Sequence, residues 1–266
     1  MPKVKQLTQF REFILVAIIV LIGVGVSRYS GEFLTANNLL VLLLSIAVDC
    51  IVAVGMTILM VSGGFDLSVG STVAATGAVA AGCLALGVSV PVAIVAALAV
   101  GILIGMANGL IVARIGINPF ITTLAMMGIV RGLLLVFMPT PISVQPESFK
   151  LIGQGTVGID MPFHAAYAFV GMLQLLIPGP VASQLRELLP AEPLPGYGVQ
   201  YPIIIAAVLL VAGDITLRKT RFLRQNYYLG GNEKAARLSG IPVDGMKVFN
   251  YALLGLLSAV AGVVMT

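Results

Sequence analysis

Long apolar runs broken by short polar links constrain this chain more than any other feature. Seven of them match the thickness of a bilayer core: residues 12–28, 40–62, 69–88, 91–113, 119–138, 200–217 and 246–266. About 20 helical residues cross roughly 30 Å of hydrocarbon. Lipid offers no hydrogen bonds, so each run must satisfy its own backbone as a helix. Of 266 residues, 59% are apolar and 10% charged, against about 25% charge in a soluble domain. So few charges cannot cover a soluble core, which excludes a disordered chain, a fibrous protein and almost every water-soluble enzyme. The expected fold is an all-α polytopic membrane protein, one transmembrane domain over residues 1–266 built as a bundle of about seven helices. The first run follows Lys3, Lys5 and Arg11 as a signal peptide would. Arg28 and Tyr29 stand where a small-residue cleavage site belongs, so it reads as an uncleaved span.

Charge sets the expected orientation. Basic residues concentrate on the cytoplasmic side of membrane proteins. With the N-terminus in the cytoplasm, Lys3, Lys5, Arg11, Arg114, Arg218, Lys219, Arg221, Arg224, Lys234, Arg237 and Lys247 all fall inside, eleven of the 15 bases. The segment 139–199 is then periplasmic and the loop 218–245 cytoplasmic. The outer segment is rich in Pro and Gly and presents turns to water. Its apolar stretch 163–178 ends at Pro178-Gly179-Pro180 and suits an interfacial or re-entrant helix. A crossing there would place the basic loop outside. The net charge of +4 thus reports orientation, with no nucleic-acid partner expected. The chain stops at Thr266 inside an apolar helix. It is expected either to end flush with the membrane or to be a C-terminally short form of a longer protein.

Several features carry mechanism. Gly70, Ala74, Ala78 and Gly82 recur every fourth residue in the third run, and Gly101, Gly105 and Gly109 in the fourth. Small residues on one helix face let backbones approach closely in lipid; such a seam serves packing, or sliding during transport. The stretch from Ser62 to Ser71 interrupts two apolar runs with Gly63, Gly64, Asp66, Ser68 and Ser71. It reads as a tight turn in which Asp66 or Ser68 caps the next helix, or as polar backbone along a translocation path. Asp49, Asn108 and Arg131 are polar intruders in apolar runs, where an ionisable group demands a partner, a proton or water. An Asp49–Arg131 pair is one solution.

In the basic loop, Asn232 is placed to cap a short helix from Glu233 to Ser239, which Gly240 ends and Pro242 prevents from continuing. Glu233 and Arg237 sit where the helix dipole favours them. This short amphipathic helix is a capped loop element or a lever for a soluble partner. Cys50 and Cys83 lie in apolar runs and read as small core residues; the lone His164 cannot build a metal site, so no metal is expected. No phosphate-binding G-x-x-x-x-G-K-[ST], no H-E-x-x-H and no intramembrane hydrolase motif is present.

Together these residues resemble a known family. Gly63-Gly64-Phe65-Asp66-Leu67-Ser68-Val69-Gly70-Ser71 is similar to the "GGIDLSVGS" signature of bacterial sugar ABC-importer permeases, the ribose permease group of the branched-chain amino acid/ribose-type superfamily. Ala107–Leu110 and Asn118–Leu124 resemble its "NGLLIAKLKIPPFIVTLGTM" region, and Arg131-Gly132-Leu133 its "RGL". Gly230–Ile241 resembles "IGGNEEAARLSGI". The resemblance covers most of 37–138 and 200–266. It implies a transport subunit without enzymatic activity of its own, importing a ribose-like monosaccharide; related furanosyl autoinducers, other pentoses or nucleosides are alternative cargoes, and a non-transporting truncated subunit is another reading. It implies a separate ABC ATPase that carries ATP and Mg, a periplasmic sugar-binding protein, a second permease chain and a bacterial inner-membrane location. Gly231, Asn232, Glu233, Ala235, Ala236, Arg237 and Gly240 would form the coupling helix that docks on the ATPase. Asp49, Asp66, Ser68, Ser71, Asn108 and Arg131 would line the route. Family members continue past residue 266, and 163–198 looks like an insertion relative to them.

Overall fold

A computed structural model describes residues 2–33, 35–140, 142, 147–157 and 199–266. All seven expected runs are helices: α1 (Pro2–Tyr29), α2 (Ala36–Val61), α3 (Val69–Ala85), α4 (Val90–Leu110), α5 (Pro119–Phe137), α7 (Tyr201–Lys219) and α10 (Val243–Met265). Between α5 and α7 lie α6 (Glu147–Gln154) and a two-residue antiparallel pair, β1 (Thr156–Val157) with β2 (Val199–Gln200). Helices α8 (Arg221–Gly231) and α9 (Glu233–Leu238) separate α7 from α10. The all-α expectation therefore holds. Five of these helices, α4 with its π turn among them, are long and apolar enough to cross a membrane; α3 and the apolar part of α1 are shorter. The stretch 163–178 lies outside the described residues.

Two units divide the chain. One comprises residues 1–43 and 160–197. Within it, Asn38 Nδ2 donates to the Phe33 carbonyl at 2.7 Å and fixes the turn before α2. The other comprises residues 44–159 and 198–266 and holds the site described below.

Helix α10 is the centre of this second unit. Its most apolar stretch is 61% buried, against 17–22% for the other long helices. Burial is this deep because small residues let neighbours approach. A Cβ on Gly101 would run into the Gly255 carbonyl oxygen, one on Gly105 into that of Tyr251, and one on Gly109 would lie 2.7 Å from the Val248 Cα. The α4 stripe is thus the seam that the spacing predicts.

The α3 stripe is corrected in its first half only, since a Cβ on Gly82 would lie 2.5 Å from the Met138 Cε. Gly70 and Ala74 are exposed, and a Cβ on Gly70 would meet nothing within 4 Å. The face against α10 carries Thr76, Gly77, Ala80 and Ala81 instead, with Gly77 packed on the Gly262 backbone. Small residues occur all around α3, so fourfold spacing alone could not phase it.

The turns sort to two ends. A cleft of about 540 Å³ is lined by residues of the α2–α3 link (Ser62–Gly64), the α4–α5 link (Gly116–Asn118) and the α8–α9 junction (Leu229–Glu233). These links therefore share one end of this unit, where Arg237 and Lys247 also stand. Helix α6 packs Phe149, 1% exposed, beside Leu84 near the end of α3 and Ala93 near the start of α4. Composition gave no sign of α6; its single buried aromatic anchors it within a turn-rich segment.

Candidate functional site

Helix α4 does not end as a plain α-helix. Its last turn widens to a π turn, Ile111–Ile115, closed by Gly116 at φ 81°. Asn118 then caps α5, its Oδ1 accepting the Phe120 N–H at 2.8 Å, with Pro119 at the first helical position. This link forms one wall of the cleft. The α8–α9 elbow forms the other.

The elbow is built by caps and a small core. Thr220 caps α8, its Oγ1 accepting the Leu223 N–H at 3.3 Å. Leu223, Asn226 and Leu229 turn inward. Asn232 caps α9 as its sequence position predicts, Oδ1 accepting the Ala235 N–H at 3.0 Å. Gly240 adopts φ 80°, a left-handed conformation that only glycine takes without cost. Ala236 is the one buried residue of α9 and packs with Leu229, Val243 and Met246. Gly231, Asn232, Glu233, Ala235, Arg237 and Gly240 remain exposed. Charge pairs fasten α9 to α10: Lys247 Nζ to Glu233 at 2.8 Å, and Arg237 to both carboxylate oxygens of Asp244 at 2.7 and 3.3 Å. The Asp244 carboxylate beside it, followed by Glu233, raises the Arg237 pKa further above its ordinary value.

Above the elbow lies a knot of buried polar groups. Asp66 Oδ1 accepts the Ser68 N–H at 2.7 Å and the Ser68 hydroxyl at 2.6 Å. Asn108 Nδ2 donates to Ser68 Oγ at 2.9 Å and to Asp66 Oδ2 at 3.2 Å. Exposure is 5% for Asp66, 1% for Ser68 and 0% for Asn108. Thr123 Oγ1 accepts the Leu67 N–H at 3.1 Å, and Ser71 Oγ donates to the Met127 carbonyl at 3.2 Å. The loop is thereby tied to α4 and α5. Asp66 stands between α2 and α3, outside the spanning helices. Burial raises its pKa above the ordinary aspartate value, while the bonds from Ser68 and Asn108 pull the other way. Ser68 holds the N-cap position of α3 but makes no side-chain cap bond. Its hydroxyl is committed to Asp66 and Asn108, so Ser68 does not cap, and it is Asp66 that takes a backbone amide at the entry to α3.

Of the six polar residues singled out in the sequence, the structure joins Asp66, Ser68 and Asn108 and places Ser71 beside them. Asp49 and Arg131 are exposed on α2 and α5. They form no ion pair with each other; Asp49 instead lines a cleft of about 390 Å³ with Lys150 and Gln154 of α6. Sequence reasoning missed three members of the site. Asn226 and Asn250 exchange side-chain amide bonds at 2.9 and 3.4 Å in a fully buried pair, and Tyr251 donates its hydroxyl to the Phe65 carbonyl at 3.0 Å. Asn250 was legible as a polar intruder in an apolar run, as Asn108 was.

Comparison with known proteins places this arrangement. No solved structure matches the chain. The ribose import permease protein RbsC of Escherichia coli K12 is 38% identical over 252 residues, covering 94% of this chain and 67% of the relative. RbsC of Haemophilus influenzae is 33% identical over 265 residues, covering 98% and 69%. The xylose transport system permease protein XylH of Escherichia coli K12 is 35% identical over 260 residues, covering 89% and 66%. The chain thus spans about two thirds of the length of these relatives. A family model described as branched-chain amino acid transport system / permease component matches residues 38–266, and the chain belongs to that family.

Proposed function

We propose that this chain is the membrane permease subunit of an ATP-driven monosaccharide importer and carries a ribose-like sugar. The observation that carries the reading is α9. It is capped, rigidly seated through Ala236, paired to α10 and otherwise exposed beside the basic end of the bundle. Such a helix transmits force from a soluble partner into the spans. The partner is a separate ATPase that takes ATP and Mg; this chain contributes binding surface and no covalent chemistry. The basic end faces the cytoplasm of a bacterial inner-membrane protein with its N-terminus inside. At the other end a periplasmic binding protein delivers the sugar, and a second permease chain, identical or related, completes the pathway. Asp49, Asp66, Ser68, Ser71, Asn108 and Arg131 line or shape the route. Relatives that import ribose and xylose favour a pentose.

The test is co-expression with a neighbouring ATPase and binding protein, in cells lacking their own ribose and xylose importers. Uptake of labelled D-ribose or D-xylose that needs all three components is the expected result. ATP-dependent disulfide trapping of the ATPase at Ala235→Cys, with Cys50 and Cys83 replaced, tests the docking site directly. An inserted chain that traps no ATPase and moves neither sugar overturns the reading.

A further inference from the structure

We propose that Asn250 and Tyr251, consecutive on α10, are positioning residues that carry displacement of the α8–α9 elbow into the Phe65–Ser68 loop. The inference rests on the permease reading for what pushes the elbow, and on geometry for the rest.

Consecutive helical residues point about 100° apart, so one turn of α10 touches two different neighbours. Asn250 faces the elbow. Its amide and that of Asn226 bond reciprocally at 2.9 and 3.4 Å, with exposures of 1% and 0%. Parting them at these burials would orphan two amides, so α8 and α10 move together rather than slip. Tyr251 faces the loop and holds the Phe65 carbonyl at 3.0 Å. Phe65 adjoins Asp66, whose carboxylate binds Ser68 and Asn108, and Leu67 N–H reaches Thr123. A shift of α10 at this turn reaches α4 directly, because the Tyr251 backbone packs on Gly105, and reaches the loop and α5 through the Phe65 carbonyl and Thr123. A rival route exists. A Cβ on Gly230 would run into the Val61 carbonyl and lie 3.3 Å from the Gly63 nitrogen, so the elbow also packs on the end of α2 directly. That contact bypasses Tyr251, and the two routes separate by experiment.

The Leu67 and Ser68 amides are the reporters, because each bonds to a side chain of the site. Hydrogen exchange would be measured on the full chain in lipid nanodiscs. Asn226→Ala is expected to speed exchange at Leu67 and Ser68 roughly tenfold, since it leaves Asn250 unpaired. Tyr251→Phe, which removes one oxygen, is expected to speed the same amides while leaving α8 protected. Adding Asn226→Ala to Tyr251→Phe should then change Leu67 and Ser68 no further. Full additivity would overturn the relay in favour of the Gly230 contact or of the α4 seam acting through Asn108, and so would unchanged exchange at Leu67 and Ser68 in either single variant. Should Asn226→Ala fail to fold, the paired Asn226→Leu, Asn250→Leu chain replaces it, filling the site without its hydrogen bonds. The Ala235→Cys trap reports on the ATPase partner independently, so a failed import reading and a failed relay give different results.

Discussion

Tyr251 and Phe65 stand 186 positions apart, yet the Tyr251 hydroxyl donates to the Phe65 carbonyl at 3.0 Å. Phe65 belongs to a loop whose other polar groups face α4 and α5, and Tyr251 belongs to the helix that carries the elbow. The bond ties α10 to the Ser62–Ser71 stretch, which also meets the Arg221–Val243 stretch directly where Gly230 lies beside Gly63.

The seam between α4 and α10 sets the first prediction. Gly105 has no room for a side chain, because its Cβ would enter the Tyr251 backbone. Gly105→Val should cost about 1–3 kcal/mol or more through forced separation of the helices. Gly70→Ala should be nearly neutral, since nothing lies within 4 Å of the added carbon. Melting midpoints in nanodiscs check both. A tolerated Gly105→Val, or a destabilising Gly70→Ala, would mean that α3 and α4 present other faces.

That contrast shows what the sequence made legible. Lipid thickness sets helix length, so the seven apolar runs could be read directly as helices, five of them long enough to cross a membrane. The α4 seam was readable because Gly101, Gly105 and Gly109 are its only glycines at that spacing. Phase on α3 was not, because Gly70, Thr76, Gly77 and Ala80 offer small residues on every side and lipid supplies no polar face for contrast. Helix α9 announced itself through Asn232, Gly240 and Pro242, each with a local reason. The knot did not: Asp66 and Asn108 were each conspicuous, but a bond across 42 positions has no local signature. The Asn226–Asn250 pair is the same case, half of it hidden in a loop.

Asn232 and Gly240 bound α9 and give the second prediction. Asn232→Ala removes the acceptor for the Ala235 N–H and should cost about 1 kcal/mol, while Asn232→Asp should retain it. Gly240→Ala forces a side chain into φ 80° and should cost about 1–2 kcal/mol. Both should appear as faster hydrogen exchange confined to 233–240. Equal loss of protection across α10 would show instead that α9 is integral to the bundle core.

Placement of α9 depends on packing more than on its surface charges. Ala236 is 3% exposed among Leu229, Val243 and Met246. Ala236→Gln should detach the helix, because an amide there would be buried without a partner. Arg237→Ala should leave the melting midpoint within error, since exposed ion pairs contribute little. Raising the salt concentration should likewise leave the wild-type midpoint nearly unchanged. A strong salt dependence would reverse this ranking.

Asp66 supplies a prediction in pH. Burial raises its folded-state pKa above the unfolded value, so the folded protein holds a proton that the unfolded chain has already released. The stability contributed by this group is fully present below the unfolded pKa and is lost as pH rises through the folded one. Asp66→Asn keeps the side-chain shape and cannot titrate. The melting midpoint of the wild type minus that of Asp66→Asn should therefore increase as pH falls toward the ordinary aspartate pKa of about 3.9. Other titrating groups act on both proteins and cancel in the difference. A difference that stays flat, or falls toward acid, would mean that the bonds from Ser68 and Asn108 outweigh burial and hold the carboxylate ionised.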